Sequence, residues 1–266
     1  MKIIKIMVLI FITVFILAVS FYLFNRFSFS KAYPFYEVSA EKNTTLTVGI
    51  IGDSWVDGSV LDSNLRDAFI KNSMACNIIS SGNSTARSKL IYENLFKEST
   101  DKYSSKHVIK SRPDYCIVIA GVNDTHGQIG PEFYAHHIKL IIKTLLHYNI
   151  KPVIVELPEY GIVEATNDMG FIRKYRSIIS SKINNKGEID NIKTYRIALT
   201  NVLKKENLTD KIIFVDFEKV CADFETCKTI YKPDGLHLNS DGNKLLSDVI
   251  AKKIAETHPT NQIPNK

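Results

Sequence analysis

Five short runs rich in isoleucine and valine dominate the sequence between residues 47 and 217. Near-continuous aliphatic runs of this length are typical of strands buried on both faces of a parallel sheet. The predicted strands are 47–51, 76–80, 114–120, 152–156 and 212–217. Helical patterns lie near 60–72, 84–98, 131–147, 168–182, 191–204 and 240–256. The alternation predicts a three-layer α/β/α fold with a central five-stranded parallel sheet.

A nineteen-residue apolar run, Ile6 to Phe24, precedes this region and contains no charge or proline. At ~1.5 Å per residue, a helix of that length spans about the ~30 Å hydrocarbon core of a bilayer. Ala18-Val19-Ser20 fits a signal-peptide cleavage pattern, but the apolar run continues beyond it. We therefore expect an uncleaved signal-anchor, with a cleaved signal peptide as the alternative. The two lysines of the short head favour a cytoplasmic N-terminus and an extracytoplasmic domain.

The chain of 266 residues is thus expected to have four parts. Residues 1–30 form the N-terminal hydrophobic helix, and the polar segment 31–46 is a tether. Residues 47–257 form one α/β domain, large enough for a substantial core. Residues 258–266 read as a flexible tail.

The net charge of +6 comes from scattered lysines, and no nucleic-acid-binding motif accompanies it. Nucleic acid is therefore not an expected partner. The densest basic stretch, Lys97 to Arg112, also contains Glu98 and Asp101. It is either a solvated face or a contact for an anionic polymer or lipid surface.

Four cysteines are too few for a disulfide scaffold. The sequence has neither a CxxC motif nor a Cys/His spacing typical of zinc, so no structural metal is expected. Cys221 and Cys227 bracket a short polar loop and could pair outside the cytoplasm. The sequence leaves that pairing open.

Polar residues follow the predicted strands where a ligand would bind. Ser54 follows the first strand in "GDS", Gly82 follows the second in "SSGNS", and Asn123 follows the third in "AGVND". Asp234 and His237 come after the last strand in "PDGLHLN". In open α/β sheets, ligands bind beyond the carboxyl ends of the strands. Taken alone, Ser54 could be an ordinary helix cap, but the other polar motifs that follow the strands favour a nucleophile.

These four blocks, in this order, resemble those of the SGNH hydrolases, the GDSL-like esterase and lipase superfamily. The resemblance covers residues 47 to 255, nearly the whole predicted domain. Trp55 departs from the leucine of the family's nickname motif, at a position that varies widely. The resemblance implies the flavodoxin-like SGNH hydrolase fold and a carboxylic-ester hydrolase, without metal or organic cofactor.

The resemblance also implies catalytic roles. Ser54 would be the nucleophile, His237 the base that takes its proton, and Asp234 the carboxylate that orients the imidazole. The backbone N–H groups of Ser54 and Gly82 and the side-chain amide of Asn123 would form the oxyanion hole. Gly82 would allow the backbone to approach the substrate closely.

Three further residues are expected near the substrate. Trp55 follows the expected nucleophile Ser54, and His126 is expected near the carboxyl ends of the strands. Tyr160 lies in the loop 158–170 after the fourth strand. Trp55 would limit the acyl pocket, and Tyr160 suits stacking on a sugar ring. The alternative for loop 158–170 is a plain connection.

The natural substrate is not fixed by these motifs. Membrane-tethered members of the superfamily act on O-acetyl groups of surface polysaccharides, so an acylated carbohydrate or small ester is the leading expectation. Transfer to another hydroxyl instead of hydrolysis is open. A lysophospholipase or thioesterase-type lipid role is the alternative, and a non-catalytic glycan-binding protein is the weaker one.

Overall fold

The computed structural model describes residues 2–39, 45–58 and 60–258. Five strands form one parallel sheet in the order β2-β1-β3-β4-β5. They are β1 (Thr47–Gly52), β2 (Asn77–Gly82), β3 (Tyr115–Ile119), β4 (Lys151–Val155) and β5 (Ile213–Val215). The predicted five-stranded parallel sheet is confirmed.

Eleven α-helices lie in the described part of the chain. They are α1 (Lys2–Phe27), α2 (Val60–Lys71), α3 (Ser88–Asn94), α4 (Lys106–Lys110), α5 (Val122–His126), α6 (Pro131–His147), α7 (Ile162–Asn167), α8 (Phe171–Asn184), α9 (Ile192–Lys205), α10 (Phe224–Cys227) and α11 (Ser240–Thr257). Helix α2 packs against α11, whereas α6 packs against both α3 and α9. Helices cover both faces of the sheet, as the alternation of elements predicts.

The central strands hold the core because their side chains are buried on both faces. All six residues of β1 and all five of β3 are buried. Strand β2, at one edge of the sheet, is only half-buried. Helix α6 begins with Pro131 in its first turn and buries an aliphatic stripe that includes Ile138 and Ile141.

Two predicted helices differ from the observed ones. The helix expected over 84–98 begins only at Ser88, because an Asn83-centred turn and hydrogen bonds from Asn123 hold residues 83–86 outside it. The helix expected over 168–182 is α8, which begins after Gly170, and a separate short helix, α7, precedes it.

The chain divides into two compact units between Lys31 and Ala32. The first contains α1, in which Ile3–Phe27 is long and apolar enough to cross a membrane by length and composition. The second contains the whole sheet. The predicted tail after His258 lies outside the described residues.

Much of the predicted tether belongs to the second unit and packs against its helices. Tyr36 donates its N–H to the Tyr148 hydroxyl at 2.9 Å, and that hydroxyl donates to the Tyr36 carbonyl at 3.0 Å. The Tyr36 hydroxyl donates to the Leu95 carbonyl at 3.0 Å, and the Tyr33 N–H donates to the Tyr92 hydroxyl at 2.8 Å. We call residues 33–39 the strap. Residues 40–44 of the predicted tether lie outside the described part.

Cys221 and Cys227 are buried thiols, and no disulfide joins them. Burial raises the pKa of the Cys221 thiol, and the neighbouring Cys227 thiol adds to that shift. The two side chains are therefore close, which is consistent with the short loop that connects them.

Candidate active site

Ser54 lies in a tight turn at the carboxyl end of β1. The carbonyl of Asp53 accepts hydrogen bonds from the N–H groups of Val56 (3.1 Å) and Asp57 (3.2 Å). The Asp53 carboxylate accepts the Trp55 N–H at 3.1 Å. Within the described residues, the Ser54 N–H has no acceptor, so it is free to donate to a ligand. The sequence "GDSW" thus folds into a turn that presents one serine and its amide.

Asp53 supports this turn from the protein interior. It is fully buried, and its Oδ2 atom has no hydrogen-bond partner among the described residues. Burial raises the pKa of Asp53 to about 7, although the Trp55 N–H opposes the shift. Asp53 therefore holds the turn and is not placed to act on a substrate.

The loop that carries Asp234 and His237 closes on itself. The Lys232 N–H donates to the His237 carbonyl at 2.7 Å, and the Gly235 N–H donates to the Lys232 carbonyl at 2.9 Å. Gly235 has φ +65°, a left-handed conformation that glycine adopts without strain. The turn brings the side chains of residues 234 and 237 together, so their contact is local in the chain.

The Asp234 carboxylate holds the His237 ring in one orientation. Its Oδ2 atom lies 2.8 Å from His237 Nδ1, and its Oδ1 atom accepts the N–H groups of Leu236 and His237 at 2.9 Å each. Burial raises the pKa of Asp234, but these hydrogen bonds outweigh it and leave the pKa below its ordinary value. Because the ionised carboxylate can only accept, His237 Nδ1 carries the proton and Nε2 is left unprotonated, with a free lone pair.

One pocket brings the Ser54 turn and the His237 loop together. Ser54 and His237 both line it, and its volume is about 80 Å³. Within the described residues no hydrogen bond joins the two side chains, and such contacts often tighten only when substrate binds. The remaining lining residues are Trp55, Asp57, Val60, Leu61, Lys232, Leu238 and Asn243.

Trp55 connects these two parts of the site. Its indole N–H donates to the Leu236 carbonyl at 3.2 Å, across 181 positions of sequence. The side chain is only 5% exposed, and its ring lies 6.4 Å from the ring of Tyr231. Trp55 is therefore mainly a structural contact between the Ser54 turn and the His237 loop, although it also lines the pocket.

Gly82 ends β2 beside the turn that carries Ser54. A Cβ atom on Gly82 would lie 2.4 Å from the Asp57 N atom and 2.7 Å from the Val56 carbonyl carbon. Only glycine fits here, because the backbone of the Ser54 turn covers the position. The physical reason differs from the sequence-based one, in which the substrate required the space.

Asn123 lies at the start of α5, directly after β3. Its Nδ2 atom donates to the carbonyls of Ala86 (2.9 Å) and Ser84 (3.2 Å). The amide therefore joins the loops that follow β2 and β3, and both of its hydrogens are engaged without ligand. The neighbouring Asp124 is buried and accepts the N–H and hydroxyl of Ser88 at 2.8 and 2.6 Å.

The other two expected substrate contacts have different surroundings. Tyr160 is 2% exposed, and its hydroxyl lies 2.6 Å from Thr125 Oγ1, so it packs in the core and offers no face to a sugar ring. His126 is half-buried at the end of α5. Burial lowers the pKa of His126, and the neighbouring His237 lowers it further.

An acidic cluster at the ends of β4 and β5 was not predicted. Carboxylate oxygens of Glu156, Asp216 and Glu218 lie within 4.8 Å of one another, an arrangement that could hold a metal ion. The Arg196 guanidinium lies 3.0 Å from Glu218. Burial raises the pKa of Glu156 to about 7. The cluster could not be predicted from the sequence, because the spacing of these three acidic residues along the chain matches no recognisable metal-binding motif.

A serine, a histidine held by a carboxylate and a free amide at one pocket define the general class of serine-dependent ester hydrolases. Residues 48–250 match the family described as GDSL-like Lipase/Acylhydrolase. The chain belongs to that family. It is accordingly a hydrolase of the esterase and acylhydrolase type.

Solved structures show the same fold at low sequence identity. The lipase/acylhydrolase from Enterococcus faecalis is 16% identical, with a TM-score of 0.57 over 80% of this chain and 97% of that chain. The Clostridium thermocellum family 3 carbohydrate esterase is 16% identical, with a TM-score of 0.55 over 80% and 98%. Axe2, an acetylxylan esterase from Geobacillus stearothermophilus, is 16% identical, with a TM-score of 0.50 over 80% and 95%. Among curated proteins, none matches the sequence.

Proposed function

We propose that the protein is a serine esterase that removes short acyl groups, chiefly acetyl, from a carbohydrate outside the cytoplasm. The observation that carries this proposal is the 2.8 Å contact of Asp234 with His237, whose ring lines the same pocket as Ser54. These three residues provide the base, its orienting carboxylate and the nucleophile that acyl transfer requires.

The reaction would proceed through an acyl-serine. His237 Nε2 takes the proton of Ser54 Oγ as that oxygen attacks the ester carbonyl. The imidazolium then gives this proton to the leaving alcohol as the C–O bond breaks. In the second half, His237 takes a proton from water, whose oxygen attacks the acyl-serine and releases the acid and free Ser54. Asp234 stays ionised and stabilises the imidazolium in both halves.

The oxyanion would be bound by the N–H groups of Ser54 and Gly82 and by the Asn123 amide. The unengaged Ser54 N–H supports its part of this assignment. For Asn123, the longer of its two hydrogen bonds, to the Ser84 carbonyl at 3.2 Å, is the one to exchange for the oxyanion. The Ala86 bond would keep the side chain in place during that exchange.

A short acyl group fits the observed pocket. An apolar cavity of about 150 Å³ accommodates benzene, and the pocket beside Ser54 has about 80 Å³. Lys232, Asp57 and Asn243 in its lining make it polar, whereas a long acyl chain would need an apolar channel. The carbohydrate esterase and acetylxylan esterase among the similar folds agree with this substrate class.

Helix α1 would hold the enzyme on the membrane as a signal-anchor, with the catalytic unit outside the cytoplasm. Its length and apolar composition support the span, and the two lysines at its N-terminal end support the orientation. Protease treatment of intact spheroplasts tests both points. We expect a membrane-bound fragment and loss of the catalytic unit, whereas full protection would contradict the orientation.

The substrate class is tested with p-nitrophenyl esters from acetate to octanoate and with an O-acetylated polysaccharide. We expect kcat/KM to fall with chain length and the polysaccharide to release acetate. A rise toward octanoate would instead support the lysophospholipase or thioesterase alternative. Adding a sugar acceptor distinguishes transfer from hydrolysis, because transfer yields the acylated acceptor in place of free acetate.

A further inference from the structure

Helix α8 turns its small polar residues toward the protein and its large apolar residues toward solvent. Its buried residues are Ser177, Ser180 and Ser181. Its large apolar residues are exposed by 54–81%, and we call them the outer stripe: Phe171, Ile172, Tyr175, Ile179 and Ile183. Four of the five follow one another at intervals of four, so they form a continuous row along one helix face.

This arrangement is the reverse of an ordinary surface helix, which buries its apolar face against the core. The orientation is fixed by contacts at the end of α8 and at the start of α9. Asn184 Nδ2 donates to the Gln128 carbonyl at 2.9 Å, and Asn185 and Asn191 are hydrogen-bonded to the side-chain oxygen of the same Gln128. Contiguous apolar patches of this kind mark interaction sites.

The charges around the outer stripe have one sign. Residues 171–187 contain five cationic residues and no Asp or Glu. None of the five forms an ion pair with a carboxylate in the part of the chain that the structure describes, and Lys174 donates to the neutral side chain of Asn167. The cationic residues are Arg173, Lys174, Arg176, Lys182 and Lys186. The partner must therefore combine an apolar interior with negative charge at its surface.

We infer that α8 lies in the surface of an anionic lipid bilayer, with the outer stripe inserted among the acyl chains and its cations at the headgroups. Helices with an apolar face, a cationic polar face and an in-plane orientation bind membranes in this way. A second copy of the chain fits less well, since two such helices would bring ten unpaired positive charges together. Helix α1 of the same chain places the protein at a membrane if it is retained.

The contact would lie beside the catalytic edge. The end of α8 is hydrogen-bonded to Gln128 through Asn184. Gln128 lies two residues after α5, and Asn123 is in the first turn of α5. A bilayer held at α8 would therefore keep the candidate active site near the headgroup layer. Polymers attached to or lying against the membrane would be within its reach.

The test uses the full chain in vesicles, with an environment-sensitive fluorophore on one engineered thiol. Cys76→Ser removes the partly exposed native thiol, since the other three cysteines are buried. The probe is placed at Ile179→Cys, and the matched control is Ile70→Cys, which is 62% exposed on α2. Esterase activity of both labelled chains verifies that they are folded.

We expect the probe at position 179 to shift to shorter wavelength in vesicles that contain phosphatidylglycerol, and to be quenched by nitroxides on lipid chains. The probe at position 70 should stay water-like. Pure phosphatidylcholine, or Arg173→Glu with Arg176→Glu, should reduce the shift at 179. A water-like probe at 179 in all vesicles overturns the inference. A shift that follows protein concentration in detergent, without lipid dependence, overturns it in favour of self-association.

Discussion

Replacing Trp55 by phenylalanine separates two roles for this side chain. Phenylalanine keeps an aromatic ring but has no N–H to donate to the Leu236 carbonyl, which Trp55 reaches at 3.2 Å. If this hydrogen bond holds the His237 loop against the Ser54 turn, the substitution should make the position of the loop less fixed without enlarging the acyl pocket. If Trp55 is instead the end wall of the acyl pocket, the smaller ring should admit longer acyl groups.

The expected cost follows from the lost hydrogen bond. A net contribution of about 1 kcal/mol, with up to about 2 kcal/mol more for an unsatisfied carbonyl, gives a total of roughly 1–3 kcal/mol. For a domain of this size that corresponds to a fall in Tm of about 2–12 °C. Since a displacement of about 1 Å at a catalytic group can cost ~10²-fold in rate, we expect kcat for p-nitrophenyl acetate to fall about 10- to 100-fold.

The assay compares kcat/KM for acetate and butyrate esters, together with thermal unfolding. Ile117→Val is the matched control: Ile117 is fully buried in β3, and the change costs about 0.5–1.5 kcal/mol. It should lower Tm by a comparable amount and leave kcat unchanged. The reasoning is refuted if Trp55→Phe keeps its acetate activity and gains on butyrate, because Trp55 then limits the pocket.

Three further changes test other contacts. Asn123→Ala should lower kcat by about 10²- to 10³-fold with little change in KM, since its amide would act on the oxyanion; a large KM effect with normal kcat would make it a ground-state contact. Asp53→Asn should stabilise the protein more at pH 8 than at pH 5, as measured by urea unfolding. The pKa of about 7 means that Asp53 keeps its proton in the native state, whereas in the unfolded chain it loses the proton near pH 4. The stability of the wild type therefore falls as the pH rises from about 4 to about 7. Equal effects of the substitution at pH 5 and pH 8 would contradict this. Tyr36→Phe should lower Tm by a few degrees through loss of the bond to Leu95, whereas an unchanged Tm would show that the strap adds little.

The sheet could be predicted from sequence because strands buried on both faces need long aliphatic runs. Strands β1 and β3 show such runs most clearly, and both are central in the sheet. The Asp234–His237 contact could also be foreseen, since a turn of four residues brings the two side chains together. Information that is local in the chain was therefore sufficient for these features.

Contacts between distant segments could not be predicted in the same way. Nothing in the sequence near Trp55 indicates the carbonyl of Leu236, and Tyr160 looks like a loop residue until its hydroxyl meets Thr125. The strap resembles a polar tether because its aromatic rings find partners only on the folded domain. For α8, periodicity predicts the helix but not which face points inward. Its serines and its isoleucines each recur with the helical period, so the pattern alone does not show which of the two sets is buried.

The most direct measurement of the central claim is the rate of Ser54→Ala with p-nitrophenyl acetate. Because serine, base and oxyanion hole act as one unit, kcat should fall by up to about 10⁶-fold, while Tm stays close to wild type. His237→Ala should lower the rate to a similar level, and the double variant should lose little more. A folded Ser54→Ala protein with wild-type turnover would contradict the assignment of Ser54 as the nucleophile and the mechanism built on it.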